Sequence, residues 1–305
     1  MANFSLDIWL LYLSGAVVLT LGIATIRKEL VQKQGLDKIV LLGPTLFAVS
    51  LAVFGAEHFA FAKNVAELVP AWIPGRLFWA LFVGASLTAA ALSIAARKLS
   101  GLAGLLLAFM LLLFVVLMHI PGIAAGPHNR IIWVVGLRDL AFAGGALSLA
   151  TWKPRYRHAT ITLARLFIAV AVVFFAVEQF LHPQFVPGVP LEMLTPGWIP
   201  AHSWWGYLTA VVYTVAGVSL LTNRQAYSAA AWLGTMVLLL VLLIYLPILL
   251  ANPKDVGNGL NYFFDTLMFG GAVLCLAGGI SLDSPGQAVF ETEESFAELQ
   301  TPYPR

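Results

Sequence analysis

The sequence predicts an all-α polytopic membrane protein with about nine transmembrane helices, arranged as two parallel four-helix bundle repeats plus an N-terminal helix. Hydrophobic residues make up 60% of the 305 residues and charged residues only 10%, too few for the surface of an ordinary water-soluble domain. Nine apolar stretches approach the length of about 20 residues that a helix needs to cross the hydrocarbon core. A sequence pattern also returns after 126 residues, which indicates an internal duplication.

The nine spans follow one another with short connections between them. They are predicted at residues 6–26, 39–62, 77–96, 102–120, 131–150, 161–181, 204–221, 229–250 and 260–280. The first span lacks a basic n-region and precedes Arg27 and Lys28, so it is interpreted as a retained anchor. The chain divides into this span with a basic linker (1–35), a first repeat (36–157), a second repeat (158–282) and an acidic cytoplasmic tail (283–305).

Basic residues fall mainly in alternate connections. One side of the membrane has Arg27, Lys28, Lys33, Lys38, Arg97, Lys98, Lys153, Arg155, Arg157 and Arg224, and the other has only Lys63, Arg76, Arg130 and Lys254. The positive-inside rule therefore predicts an outer N-terminus and a cytoplasmic C-terminus. Because each repeat has four spans, both repeats enter the membrane in the same direction, which predicts parallel repeats.

The duplication is clearest in the outer loops and in the last helix of each repeat. Pro-Ala-Trp-Ile-Pro at residues 70–74 returns as Pro-Gly-Trp-Ile-Pro at residues 196–200. Other equivalent pairs are Trp79 and Trp205, Pro121 and Pro247, Asp139 and Asp265, and, across a five-residue insertion near Pro187, Glu57 and Glu178. Proline breaks helices and tryptophan favours the headgroup region, so the loop with Trp72 and Trp79 is either an interfacial corner or a gate for a ligand.

Ionisable and polar residues inside the predicted spans are few and lie at similar depths in both repeats. The first repeat has Glu57, His58, His119, Arg138 and Asp139, and the second has Glu178, Gln179, His182, Tyr245 and Asp265. Such groups are costly at bilayer depth and usually face the bundle interior. At 1.5 Å per residue they lie within roughly 15 Å of the outer surface, so we expect two acids and a histidine or tyrosine to converge in each outer half. Arg138 diverges from Asp139 on the helix and is expected to reach a carboxylate of a neighbouring helix or of the other repeat.

These residue types can exchange protons with an apolar ligand. Desolvation makes a carboxylate easier to protonate, and histidine titrates near neutrality. Quinones take up protons on their carbonyl groups when they are reduced, so they fit such a lining. The candidate catalytic residues are Glu57, His58, His119, Arg138 and Asp139. The candidate ligand-lining residues are Trp72, Trp79, Glu178, His182, Tyr245 and Asp265.

Other interpretations stay open at this point. The same residues could be buried ion pairs that fix helix register, or the site of an ion-coupled transporter. The chain could also be a non-catalytic membrane anchor or assembly protein. His58 and His119 could hold a metal or one haem, although no tight spacing motif supports this. The net charge of +2 and the absence of aromatic-basic motifs give no indication of nucleic-acid binding, and the one cysteine, Cys275, excludes a CxxC pair.

Several short motifs resemble the DoxX-like superfamily of membrane proteins. They are Gly55, Glu57 and His58, the Pro-x-Trp-Ile-Pro loop, Met-His-Ile-Pro at residues 118–121, and Arg138, Asp139 and Gly144. The resemblance implies a bacterial plasma-membrane protein with the family's four-helix module present twice, between about residues 36 and 280. It also implies a link to quinone-dependent oxidation and a soluble or membrane redox partner. The second copy departs from the motif at Gln179, Tyr245 and Phe264, which predicts that the two repeats differ in function.

Overall fold

The computed structural model describes residues 5–150 and 154–283, and this part of the chain confirms the predicted fold class. Nine helices in it are long and apolar enough to cross a membrane, so the chain is a multi-pass membrane protein. We number them α1 to α9: Leu6–Gln32, Gly35–Ala60, Arg76–Ala95, Ser100–Ala125, Arg130–Leu149, Tyr156–Leu181, His202–Thr222, Ala226–Ala251 and Val256–Asp283. The predicted acidic tail beyond Asp283 lies outside the described residues.

Successive helices run in opposite directions, so the bundle has two distinct ends. The proline-rich end carries the connections 61–75 and 182–201. The opposite, basic end joins its elements by an ion pair between Arg97 and Glu29 and by a hydrogen bond from Tyr227 to Asp37. Helix α1 packs mainly on α2, outside the two repeats.

The two repeats share a backbone irregularity at equivalent positions in α4 and α8, whereas the π-helical segment Val256–Asn261 at the start of α9 has no counterpart in α5. Helices α4 and α8 each contain one π-helical segment, Val115–His119 and Val241–Tyr245. Each segment is closely followed by a proline, Pro121 or Pro247, which has no N–H for the usual helical hydrogen bond. The wider turn accommodates this missing donor, and such turns often occur at functional sites. The predicted duplication therefore extends to local backbone geometry.

The two repeats interlock and do not stand apart as separate bundles. The last helices, α5 and α9, pack on each other at the centre. The first helix of each repeat packs on the last helix of the other, so that α2 contacts α9 and α6 contacts α5. Glycines allow this close approach, because a Cβ on Gly145 would lie 2.4 Å from Cβ of Ala272. A Cβ on Gly271 would likewise lie 2.6 Å from the backbone nitrogen of Phe47. Residues from both repeats therefore meet around α5 and α9.

The connections at the proline-rich end differ between the repeats. The connection between α6 and α7 folds back on the bundle, and we call its residues 185–195 the plug. Its two arms are joined by a backbone hydrogen bond of 2.9 Å from Val186 to Met193, and Val186, Val189 and Leu191 are buried. The equivalent connection in the first repeat, residues 61–75, contains the short helix Ala62–Leu68 and has no buried residue.

Candidate functional site

A charged network crosses the interface between the two repeats. Asp139 on α5 accepts a hydrogen bond from Nε2 of His119 on α4 at 2.8 Å. Its other carboxylate oxygen lies 3.2 Å from the guanidinium of Arg138. Arg138 also donates to Asp265 on α9 at 2.6 Å. Four of the predicted residues, His119, Arg138, Asp139 and Asp265, therefore form one connected cluster.

The position of this cluster follows from the duplication. Asp139 and Asp265 are equivalent residues on the two central helices, and only 8% and 7% of their surfaces are exposed. Arg138 was expected to reach a carboxylate of a neighbouring helix or of the other repeat, and its contact with Asp265 confirms the second alternative. The expectation that Arg138 would point away from Asp139 is wrong, because its long side chain bends so that the guanidinium contacts both carboxylates.

The charges of this cluster do not cancel without a proton. When His119 is neutral, the guanidinium of Arg138 faces the two carboxylates of Asp139 and Asp265, and the net charge of the cluster is −1. One additional proton, on His119 or on a carboxylate, brings the net charge to zero. Because an uncompensated charge is unfavourable in a weakly polar interior, the cluster is suited to binding and releasing a single proton.

The two equivalent glutamates have different partners, and each partner belongs to the other repeat. Glu178 on α6 accepts a hydrogen bond of 2.6 Å from Arg130 on α5. Glu57 on α2 accepts one of 3.1 Å from the amide of Asn261 on α9, and no ion pair holds it within the described residues. Asn261 precedes Asp265 by four residues on the same helix, so Glu57 lies beside the charged cluster.

Arg130 binds the plug in addition to Glu178. Its guanidinium donates to the backbone carbonyls of Pro190, at 2.5 Å, and Leu191, at 3.1 Å. It also lies 4.5 Å from the ring centre of Phe185, a distance typical of a cation–π contact. Sequence reasoning assigned Arg130 no role at the site. The available signal was its position, as one of few basic residues in the outer connections and directly before a span.

His119 and Tyr245 are equivalent residues in different surroundings. Tyr245 is 1% exposed, and its hydroxyl donates to the carbonyl of Pro187 in the plug at 2.8 Å. His119 is only partly buried, and its Nδ1 has no hydrogen-bond partner among the described residues. The apolar neighbours differ in the same way, since Ile244 is fully buried and its counterpart Met118 is partly exposed. The second repeat is therefore closed where the first is partly open.

The other predicted residues do not join the charged cluster. Nδ1 of His58 lies 2.7 Å from the carbonyl of Phe54 on its own helix. His182 contacts the ring of Phe185, with 5.8 Å between ring centres. Trp72 is 67% exposed at the proline-rich end. Trp79 is also exposed, and it donates to the carbonyl of Pro74 at 3.1 Å as its counterpart Trp205 does to that of Pro200.

A metal or haem between His58 and His119 does not fit this geometry. The Cβ of His58 packs on Gly84 of α3, whereas that of His119 packs on Gly136 of α5, so the two side chains lie against different helices. Across residues 5–150 and 154–283, no group of three His, Cys, Asp or Glu residues is arranged to hold a metal ion.

Comparisons with known proteins do not identify a family or a relative for this chain. No protein-family model matches the chain, and no curated protein and no solved structure matches it either. The site is therefore interpreted from its own residues and distances.

Proposed function

We propose that the first repeat binds a lipophilic molecule with an exchangeable carbonyl or hydroxyl group, of the quinone and hydroquinone class, and that His119 exchanges a proton with it. One observation carries this proposal. His119 is held by Asp139 at 2.8 Å through one ring nitrogen, while the other nitrogen is without a partner in the described part of the chain. A histidine oriented by a carboxylate in this way is a typical general acid or base.

The charged cluster supports proton exchange at Nδ1 of His119. A hydroquinone hydroxyl can donate to Nδ1 and leave its proton there, and Asp139 then stabilises the imidazolium. Arg138 contacts both Asp139 and Asp265, so the cluster has one cation for two carboxylates and uptake of one proton brings its net charge from −1 to zero. Glu57, partly buried beside Asp265, is the carboxylate best placed to pass the proton to the proline-rich end.

The surroundings of His119 support an apolar ligand. Phe114 and Met118, on the same helix as His119, are partly exposed, whereas their counterparts Leu240 and Ile244 in the second repeat are buried. Partly exposed apolar side chains within a membrane span favour a molecule that arrives from the lipid phase. The plug occupies the corresponding region of the second repeat, so the proposed site is confined to the first.

The proposed role is that of a membrane subunit in a redox system. Oxidation of a hydroquinone to a quinone releases two protons and two electrons. The cluster accepts the protons one at a time, so the first leaves through Glu57 before the second arrives. The electrons pass to a separate redox protein, which is part of the proposal. Membership of the DoxX-like family in a bacterial plasma membrane also belongs to the proposal, and the motifs around Glu57 and Arg138 support it.

Quinone binding by the purified protein tests the proposal. We expect the wild type to bind a short-chain ubiquinone analogue through the protonated ring of His119, whose Nδ1–H donates to a quinone carbonyl. His119→Phe should bind it at least about tenfold more weakly, since a hydrogen bond to a charged group contributes about 1.5–3 kcal/mol. Tyr245→Phe is the matched control, because it removes the equivalent polar group from the closed repeat and is expected to leave the affinity unchanged. Equal affinities for wild type and His119→Phe would refute the proposal.

The proposed orientation places the proline-rich end outside the cell. The many basic residues at the other end support it. The single native cysteine, Cys275, is buried, so a new surface cysteine can be labelled alone. In intact cells, a membrane-impermeant maleimide should label Lys63→Cys and leave Lys98→Cys unlabelled. The reverse pattern would overturn the orientation.

A further inference from the structure

Five buried polar side-chain atoms of the second repeat have no hydrogen-bond partner in the part of the chain that the structure describes. Two of them belong to Thr195 in the plug and Asn261 on α9. The other three lie on the neighbouring helices α6 and α7, and they are Oε1 of Gln179 on α6 and the hydroxyl oxygens of Thr209 and Tyr213 on α7. These residues are 0%, 1% and 0% exposed. Since about 90% or more of buried polar groups in proteins are hydrogen-bonded, three such atoms in one region indicate a partner outside the chain.

The packing of α6 against α7 brings the three residues to similar depths. A Cβ on Gly206 would meet Pro183, and one on Gly217 would meet Val173. These contacts fix the antiparallel register, in which Thr209 lies at the level of Gln179.

Tyr213 lies one helical turn below Thr209 on the same face of α7. Its ring centre is 6.1 Å from that of Phe269 on α9. At the level of Thr209, the amide of Gln179 donates to the carbonyl of Phe185 in the plug at 3.3 Å. The three atoms therefore lie in the interior of the second repeat, beneath the plug.

The hydroxyl groups are not explained by helix packing. Thr214 and Thr235, in the same repeat, donate to the carbonyl four residues earlier, at 2.8 and 2.7 Å. Thr209 makes no such bond. The first repeat has Val83 and Leu87 at the positions of Thr209 and Tyr213, so apolar side chains can fill these positions in the same fold.

We propose that the second repeat encloses a small neutral ligand that both donates and accepts hydrogen bonds, of which water is the smallest example. Gln179 Oε1 accepts from it, and the hydroxyl groups of Thr209 and Tyr213 complete its shell. The ligand is neutral because Gln179, Thr209 and Tyr213 carry no charge, and Glu178, which precedes Gln179 in the chain, is already paired with Arg130. This site is separate from His119 and does not depend on the function proposed for the first repeat.

Thermal unfolding of Thr209→Val and Tyr213→Phe tests this site. If the ligand is bound, each variant loses one of its hydrogen bonds, and we expect its Tm to fall by about 2–4 °C, which corresponds to about 1 kcal/mol. Thr235→Val is the control, since its hydroxyl bonds only its own helix, and it should change Tm less. If the site is dry, removal of an unsatisfied hydroxyl is stabilising. An unchanged or higher Tm for both variants would therefore overturn the proposal.

Native mass spectrometry distinguishes the two sources of such a ligand. An organic adduct that is present in the wild type and lost in Tyr213→Phe identifies a small hydroxyl compound. A fall in Tm without any adduct identifies bound water. Both outcomes support the site, since each depends on the same three polar atoms.

Discussion

At the proline-rich end, the two repeats share a π-helical segment at equivalent positions but differ in accessibility. In the first repeat, the π-helical segment of α4 ends at His119, which is partly exposed and paired with Asp139. In the second, the equivalent segment ends at Tyr245, which is buried beneath the plug and bonded to Pro187. Both segments precede a proline at the same distance. The difference in chemistry therefore comes from one side chain and one loop insertion on a common scaffold.

This comparison shows how one fold can hold a partly open polar cluster and its closed counterpart together. Closure of the second repeat needs Arg130 from the first repeat, because this residue binds both Glu178 and the plug carbonyls. The open half in turn needs Asp265 from the second repeat, which shares Arg138. Each half is thus completed by a charged residue of the other, and the two cannot be separated into independent bundles.

Replacement of Arg138 should have the largest effect. Arg138→Leu leaves Asp139 and Asp265 facing each other without a cation, and the loss of one partner from a buried ion pair typically costs about 3–5 kcal/mol. We expect a large fall in Tm and poor recovery of folded protein in detergent. The measurement is thermal unfolding followed by size-exclusion chromatography.

A compensated variant separates charge imbalance from lost packing. The triple variant Arg138→Leu with Asp139→Asn and Asp265→Asn has no unpaired charge in the cluster. It should therefore recover most of the stability lost by Arg138→Leu alone, since removal of all the charged groups is often nearly neutral. A triple variant as unstable as the single one would show that the network does not control the stability of this interface.

Replacement of Arg130 should have an intermediate effect on stability. It should also loosen the plug, so that the second repeat becomes as accessible as the first. Arg130→Leu leaves Glu178 unpaired and removes both bonds to the plug, at a cost of about 2–3 kcal/mol. Hydrogen exchange at residues 185–195 should increase, because the plug loses its anchor. Arg76→Leu is the control, as this cation also lies at the proline-rich end but forms no ion pair within the described residues. Unchanged exchange in Arg130→Leu would show that other contacts hold the plug.

The sequence was sufficient to predict the helices and the duplication. Long apolar stretches and repeated prolines report on membrane crossing and on local breaks, and both are local properties of the chain. The depth of the buried charges was also predictable, since each residue advances a helix by a fixed rise. The sequence therefore predicts that His119, Asp139 and Asp265 lie near the same end of the bundle.

The partners of these charges could not be predicted from the sequence. The expectation that Glu57 would converge with His119 and Asp139 assumed that each repeat packs on itself. Because α2 packs on α9, Glu57 instead contacts Asn261 of the second repeat. The plug was missed for a related reason: its hydrogen bonds come from backbone carbonyls of residues 187–191, which have no sequence signature.

The smallest effect is expected for Glu57→Gln, and its comparison with Glu178→Gln tests the asymmetry of the two halves directly. A glutamine at position 57 can still accept a hydrogen bond from Asn261, so the stability should change by no more than about 0.5 kcal/mol. A glutamine at position 178 loses an ion pair of 2.6 Å with Arg130 and should cost about 1–3 kcal/mol. Both values follow from thermal unfolding under one set of conditions. Equal losses at the two positions would mean that Glu57 is as firmly paired as Glu178, and the first repeat would then lack the weakly held carboxylate that its proposed proton exchange requires.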